Sequence, residues 1–393
     1  MKQLKDNIFY IGSINPNLRV FDIIMKTDYG TSYNAYLIKG EKVALVETVH
    51  DKFGKKYLDE VSELTDVSKI DYVIFNHTEP DHSGSLVKLL ELNPDIKVVG
   101  TTAAIKNLGA ITNTAFESMP VKTGDTLDLG NGMVLEFILS PNLHWPDTMF
   151  TYLKSAKTVF TCDFLGAHYC EPSVTDEEIA DPDLYWGSFK GYYTAIMGPF
   201  KKFVLDGLDK LSALDFDMVC TSHGPVLKNN IKKCMELYRE WSKPEEKEKT
   251  ATIFYVSAYG YTREMAHILE KALNEKGIKT NSYDIICHDY AELASKIEHS
   301  SALLFGSPTI NRDALKPVWD LMSMIDAISN RGKPTLIFGS YGWSGEACKL
   351  LSERATGLSL KVFEKMPKVN FKPSEKDREE LLQIAEEFSA TII

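Results

Sequence analysis

Two hydrophobic rhythms divide this chain. As far as about residue 160, apolar positions fall in short runs separated by polar turns, which predicts short strands over 32–38, 43–49, 71–76, 97–100 and 158–162. Lys39-Gly40-Glu41-Lys42 turns between the first two, and Gly130-Asn131-Gly132 predicts a hairpin. Amphipathic spacing predicts helices over 53–64, over 83–92 with Gly84 near its start, and around 103–108. Strands followed by helices, with hairpins interspersed, predict an α/β fold of two sheets sandwiched between helices. A strand over 218–222 and a helix over 227–241 follow.

Lys243-Pro244-Glu245-Glu246-Lys247-Glu248-Lys249 then carries charge and no apolar residue, and reads as a linker. Beyond it, strand and helix alternate strictly. Strands are expected at 252–256, 301–305 and 335–338, and helices at 264–276 and 376–389. Five such βα units make a doubly wound parallel sheet. The expected domains are therefore 1–243 and 250–393.

Composition narrows the class. The 393 residues are 44% hydrophobic and 25% charged, ordinary for a globular protein. A net charge of -11, most of it ahead of residue 250, argues against nucleic acid as a partner. No signal pattern opens the chain and no window approaches a membrane span, so a cytoplasmic protein is expected. The six cysteines form no C-x-x-C pair, which excludes a rubredoxin or ferredoxin module and leaves them as reduced, mostly buried thiols.

The densest chemistry is Asn76-His77-Thr78-Glu79-Pro80-Asp81-His82, directly after the apolar run Tyr72-Val73-Ile74-Phe75. Alternate residues of an extended chain share a face, so His77, Glu79 and Asp81 can converge while the turn brings His82 round. Such polarity beside a buried strand is costly without a bound partner. Three more candidates share the context of an apolar strand followed by a turn: His144, Asp163 and His223. Four imidazoles and three carboxylates suffice for two ions, with Asp163 as the candidate bridge. A thiolate-free set of this kind suits iron or manganese and also holds zinc. His50 and His168 rank below these, His168 as an outer-shell residue, and His267, His288 and His299 are expected at the surface or in packing.

The second half offers an anion site. Ser257 and Thr262 flank Ala258-Tyr259-Gly260-Tyr261, where a strand passes into a helix whose free N–H groups suit a phosphate monoester. The loop has neither a dinucleotide G-x-G-x-x-G nor a P-loop Lys, so the expected ligand is a mononucleotide. Gly306-Ser307-Pro308-Thr309 and Gly339-Ser340-Tyr341-Gly342-Trp343 end further strands, and Tyr341 and Trp343 are placed to cover a flat ring.

From Ser32 to Pro225 the chain resembles the metallo-β-lactamase fold, and as a whole it resembles the flavodiiron proteins (A-type flavoproteins). The resemblance rests on His77-x-Glu79-x-Asp81-His82, on His144, Asp163 and His223 in order, and on the flavodoxin-like half that follows. It implies a metallo-β-lactamase-like αββα sandwich with a non-haem di-iron centre, followed by a flavodoxin-like domain with FMN. His77, Glu79 and His144 would hold one iron, Asp81, His82 and His223 the other, with Asp163 bridging. FMN would sit on Ser257, Tyr259, Gly260, Tyr261 and Thr262, on Ser307, Pro308, Thr309, Ile310 and Asn311, and on Ser340, Tyr341, Gly342 and Trp343. The two tyrosines in Ala258–Tyr261 depart mildly from the family's usual phosphate loop.

A tyrosine near the irons, matched here by Tyr192 or Tyr193, and His168 complete the set. The implied activity is reduction of O2 to water, or alternatively of NO to N2O. Electrons would come from a separate carrier, whether rubredoxin, a flavin reductase or F420H2. A head-to-tail homodimer, or a dimer of dimers, would face FMN of one subunit to the irons of the other. Rival readings are a dinuclear zinc hydrolase and a plain electron-transfer protein.

Overall fold

The computed structural model describes residues 1–23, 25–244 and 248–392. It divides into two units, Met1–Lys243 and Pro244–Ile393. Within the stretch expected as a linker, Glu245, Glu246 and Lys247 lie outside the described residues.

The first unit is built on two sheets. Seven strands run in the order Lys2–Lys5, Ile8–Tyr10, Tyr36–Lys39, Val43–Val46, Ile70–Ile74, Lys97–Gly100 and Ser118–Pro120. Five more run Thr126–Asp128, Val134–Leu139, Met149–Leu153, Thr158–Cys162 and Met218–Thr221. Side-chain alternation explains how the sheets are used. In Val43–Val46, Ala44 and Val46 join Tyr36, Phe137, Phe160 and Met218 in the core between the sheets. Val43 and Leu45 point the other way, onto Tyr57, Val61, Leu86 and Leu89 of covering helices. The far face of the second sheet buries Phe150 and Val159 beneath Tyr185, Phe189, Leu208 and Tyr238. Strands buried on both faces read as continuous apolar runs, which is why they stand out in the sequence.

The strand expected over 43–49 stops at Val46, and three further elements differ. The strand over 32–38 is two, Thr31–Tyr33 and Tyr36–Lys39. Asn34 interrupts it by donating its side-chain amide to Thr221 O and Gly224 O, both at 2.8 Å. The helix over 83–92 is Pro80–Ser83 followed by Leu86–Leu92. Gly84 sits between them, packed so tightly that a Cβ would lie 2.5 Å from Pro80 O. The helix over 227–241 begins only at Ile231. The buried Asp176 carboxylate holds the preceding residues by accepting from Lys228, Asn229 and Asn230 N–H.

The second unit is a sheet in the order Lys279–Asp284, Thr250–Tyr255, Ala302–Gly306, Pro334–Tyr341 and Lys361–Val362, parallel throughout. Lys368–Asn370 extends the end of Pro334–Tyr341. Helices Tyr261–Glu275 and Glu375–Ser389 cover one face, and Tyr290–His299, Lys316–Met322 and Ala347–Gly357 the other. This 2-1-3-4-5 order is the flavodoxin-like form of the doubly wound sheet. Among the described residues no helix is long and apolar enough to cross a membrane.

Asp176 gives a test of the local architecture. Asp176→Ala leaves buried amides unpaired and is expected to destabilise the unit by about 3 kcal/mol, since bonds to charged groups are the strong ones. A fall in the urea midpoint of the metal-free protein, with unchanged slope, would register it.

Candidate metal centre and flavin pocket

All seven residues singled out in the first half are brought together. Strand ends do this: Ile70–Ile74 feeds His77 to His82, Thr158–Cys162 feeds Asp163, and Met218–Thr221 feeds His223. His144 comes from the turn between Val134–Leu139 and Met149–Leu153. Donor atoms of His77, Glu79, His144 and Asp163 lie within 4.8 Å of one another, and so do those of Asp81, His82 and His223.

Asp163 belongs to both groups through different oxygens. Its Oδ2 is 2.8 Å from His144 Nε2 and 3.8 Å from His77 Nε2. Its Oδ1 is 3.1 Å from His82 Nε2 and 3.6 Å from His223 Nε2. Cys162 makes this possible. It has φ +51, and the register against Met218–Thr221 slips between Phe160 and Cys162, so the bulge turns Asp163 inward. The Cys162 thiol also approaches His82 and Asp163, but burial pushes it well above its ordinary range, so it stays a neutral thiol, and Ser222 Oγ donates to it.

In the first group His77 Nε2 hydrogen-bonds Glu79 Oε2 at 3.2 Å and His144 Nε2 hydrogen-bonds Asp163 Oδ2 at 2.8 Å, whereas at the second group proximity is not matched by hydrogen bonding. Asp81 Oδ1 and Oδ2, His82 Nε2 and Asp163 Oδ1 are buried and make no aligned hydrogen bond with any described residue, although partners stand 3.1–3.6 Å away. Polar atoms that converge on a common point without meeting one another are what a bound cation would satisfy. Burial opposes charge on Asp163, yet His82 foremost, with His144 and His223, holds its carboxyl well below the usual range. His82 answers in kind: against burial, Asp81 and Asp163 raise it to about 9. Glu79 and His144 are the partly open members, with side chains 16% and 13% exposed.

Outer partners aim the imidazoles, and the sequence did not single these out. His77 Nδ1 lies 3.3 Å from Asp147 Oδ2, which also accepts from Thr78 N–H and Thr78 Oγ1. His223 Nδ1 donates to Ser32 O at 2.6 Å. Each leaves Nε2 free to face inward. Glu47, left-handed at φ +60, is buried beneath the same loop and accepts from Asn76 N–H at 2.8 Å. Burial pushes its carboxyl up to about 8, against the pull of His82. A charged residue directly after the apolar run 43–46 was the available signal.

Of the two expected tyrosines, Tyr192 is the one beside the centre, its ring 4.9 Å from His168 and 6.1 Å from His223. Tyr193 is not: its hydroxyl pairs with Ser242 Oγ at 2.8 Å, and its ring packs on Tyr238 and Trp241. His168 stands between Phe21 and His223, with ring centroids 4.4 and 5.0 Å away. Burial and the neighbouring His223 lower it to about 3. His50 instead caps a short turn at Lys52 N–H.

In the second unit the three expected loops surround one cavity of about 520 Å³. Ala258, Tyr259 and Tyr261, residues 308–311 and residues 340–343 line it, together with Phe371, which the sequence did not single out. Tyr259 and Trp343 stand 83% and 85% exposed at its rim, a costly placement for large rings unless a flat ligand covers them. Ser257, Gly260, Thr262 and Ser307 do not line it. Thr262 Oγ1 ties to Ser340 Oγ at 2.8 Å, Ser257 Oγ accepts from Arg263 N–H, and Ser307 Oγ from Leu315 N–H. Gly260, at φ +87, turns the chain into the following helix.

Residues 31–224 match the family described as ODP family beta lactamase, and residues 253–384 match flavodoxin. The chain is 48% identical to Flavo-diiron protein FprA2 of Clostridium acetobutylicum, over 99% of each chain. It is 34% identical to Type A flavoprotein fprA of Rhodobacter capsulatus, over 95% of this chain and 87% of that one. Rubredoxin oxygen:oxidoreductase from Desulfovibrio gigas is similar in structure, with a TM-score of 0.69 and 27% identity, covering 100% of this chain and 98% of that one. With two groups of donors reached by Asp163 in one unit, a ring-sized pocket in the other and near-full-length relatives at this identity, the chain belongs to the flavo-diiron (type A flavoprotein) family.

Proposed function

We propose that the chain reduces O2 to water at a di-iron centre, with FMN as its partner cofactor and electrons from a separate carrier. The observation that carries the reading is Asp163, whose two oxygens face two separate groups of donors. FMN and a di-iron site are the family's cofactors, and the residues fit both: orphaned carboxylate and imidazole atoms in one unit, an aromatic-rimmed cavity in the other. His77, Glu79 and His144 would hold one iron, Asp81, His82 and His223 the second, and Asp163 one oxygen to each. Residues 308–311 and 340–343, with Tyr259 and Tyr261, would hold the flavin.

Bound there, the two irons and the flavin supply the four electrons that reduction of one O2 requires. The chain's part is placement and exclusion. Asp147 and Ser32 O fix which nitrogen of His77 and His223 faces inward. Phe21 lies against His168 and edge-on to His223, closing that flank with apolar surface. Burial holds the Tyr192 hydroxyl protonated, well above its ordinary value, as a neutral donor beside the centre. The choice of O2 draws on the name of the Desulfovibrio gigas relative. NO, reduced to N2O, is the second substrate, since the same donor set serves it. A homodimer is part of the proposal, and sedimentation showing only active monomer would refute it.

Metal and flavin analysis should return two irons and one FMN per chain. Anaerobically reduced protein should then be reoxidised rapidly by O2 and slowly by NO in stopped flow. The reverse ranking would make NO the substrate, and two zincs with ester hydrolysis would overturn the reading.

Asp163→Ala should lose both irons while keeping FMN and far-UV signal, whereas His144→Ala should lose about one. At pH 7 the metal-free protein carries a proton on His82, whose value is raised from 6.5 to about 9 by Asp81 and Asp163. Ferrous binding must displace it, so calorimetry in buffers of different ionisation heat should show proton release. His77, held against burial well above its ordinary value by Asp147 and Glu79, must shed a proton as well, so affinity should rise with pH through 9.

A further inference from the structure

Two of the loops around the pocket in the second unit are fastened to each other at three points. Residues 308–311 follow strand Ala302–Gly306, and residues 340–343 end strand Pro334–Tyr341 and run on toward helix Ala347–Gly357. Thr309 N–H donates to Ser340 O at 2.8 Å, and Thr309 Oγ1 accepts from Ala347 N–H at 3.2 Å. The stretch that carries Tyr341 and Trp343 is therefore held at both ends by one residue of the other loop. At the exposed side an ion pair adds a third tie: Arg312 Nε donates to Glu346 Oε1 at 3.0 Å. Neither of these side chains lines the pocket, but Asn311, next to Arg312, does.

The backbone at Arg312 is the unexpected part. Ile310 and Asp313 exchange both backbone hydrogen bonds, at 3.0 and 3.1 Å, around Asn311 and Arg312. Those two residues have φ +53 and +64. Two left-handed residues in succession make a type I′ turn, which favours Asn at the first position and Gly at the second. Asn311 satisfies that preference. Arg312 defies it, because its Cβ is strained where glycine would be relaxed. A strained residue kept beside a ligand pocket directs attention to its side chain. That side chain is 79% exposed, and it reaches across to the loop that bears Trp343.

We propose that Arg312 and Glu346 form a latch across the two loops, which holds them closed on the bound flavin ring and opens to release it. The inference rests on the pocket assignment above. Both are positioning residues, acting through Asn311 and Trp343. An exposed ion pair contributes little and is screened by salt, so the latch gives a modest brake that salt loosens.

The test is the rate at which the FMN-loaded full chain releases flavin, followed by the fluorescence of the freed FMN. In the wild type, release should quicken about threefold between ~0.05 and ~0.5 M salt. Arg312→Gly and Glu346→Gln should each release FMN about threefold faster at low salt and lose the salt response. The double variant should be no faster than either single one. Arg312→Gly also relieves the left-handed strain, so the melting temperature of the flavin-free protein should hold or rise. A fall would mark a tie that stabilises the fold and would overturn the latch. Release at the wild-type rate in either single variant would overturn it too, as would effects that add in the double variant. Trp343→Ala separates the two readings, since it should speed release at every salt concentration. If it changes nothing, the pocket assignment falls and the latch with it. If it alone speeds release, only the latch falls.

Discussion

The first unit depends on one buried carboxylate with two separate obligations. Asp163 gives Oδ1 to His82 and His223 and Oδ2 to His77 and His144. Burying a carboxylate is expensive unless it is paired, and here the pairing fixes the positions of loops from three strands. The left-handed bulge at Cys162 is the backbone form of that demand. The break at Asn34 is another, because its amide holds Thr221 and Gly224 on either side of His223.

Around this centre, polar groups are arranged in layers. Asp147 and Ser32 O contact the far sides of His77 and His223, so the directions of these two rings are set by neighbours that would not touch an ion, and Thr31 does the same for His168. Glu47 anchors the start of the 76–82 loop from below through Asn76 N–H. Openness is unequal as a result. Glu79 and His144 retain exposure on one side, and Phe21 closes the flank at His168.

The second unit solves a different problem with simpler means. A parallel sheet buried on both faces leaves its chemistry to the loops at the carboxyl ends of its strands. Hydroxyl groups there tie the loops together: Thr262 to Ser340, and Ser307 to the chain at Leu315. The aromatic residues are left free, with Tyr259 and Trp343 at the rim and Phe371 supplied by the segment after Lys368–Asn370.

By itself the sequence determined the two fold classes, because buried strands read as unbroken apolar runs and parallel sheets alternate visibly with helices. It also determined the ligand types, since four imidazoles and three carboxylates at strand ends have few structural uses. The pairing of oxygens to rings was not legible, for it depends on a bulge that places Asp163 and on side-chain amides that draw strands together over long separations. Asp147 hid for the same reason: an outer partner is defined by what folds against it, not by its neighbours in the chain. Tyr192 and Tyr193 differ by one position and were indistinguishable on paper. Only the packed helix decided, since adjacent residues on it point about 100° apart, sending one ring to His168 and the other to Ser242.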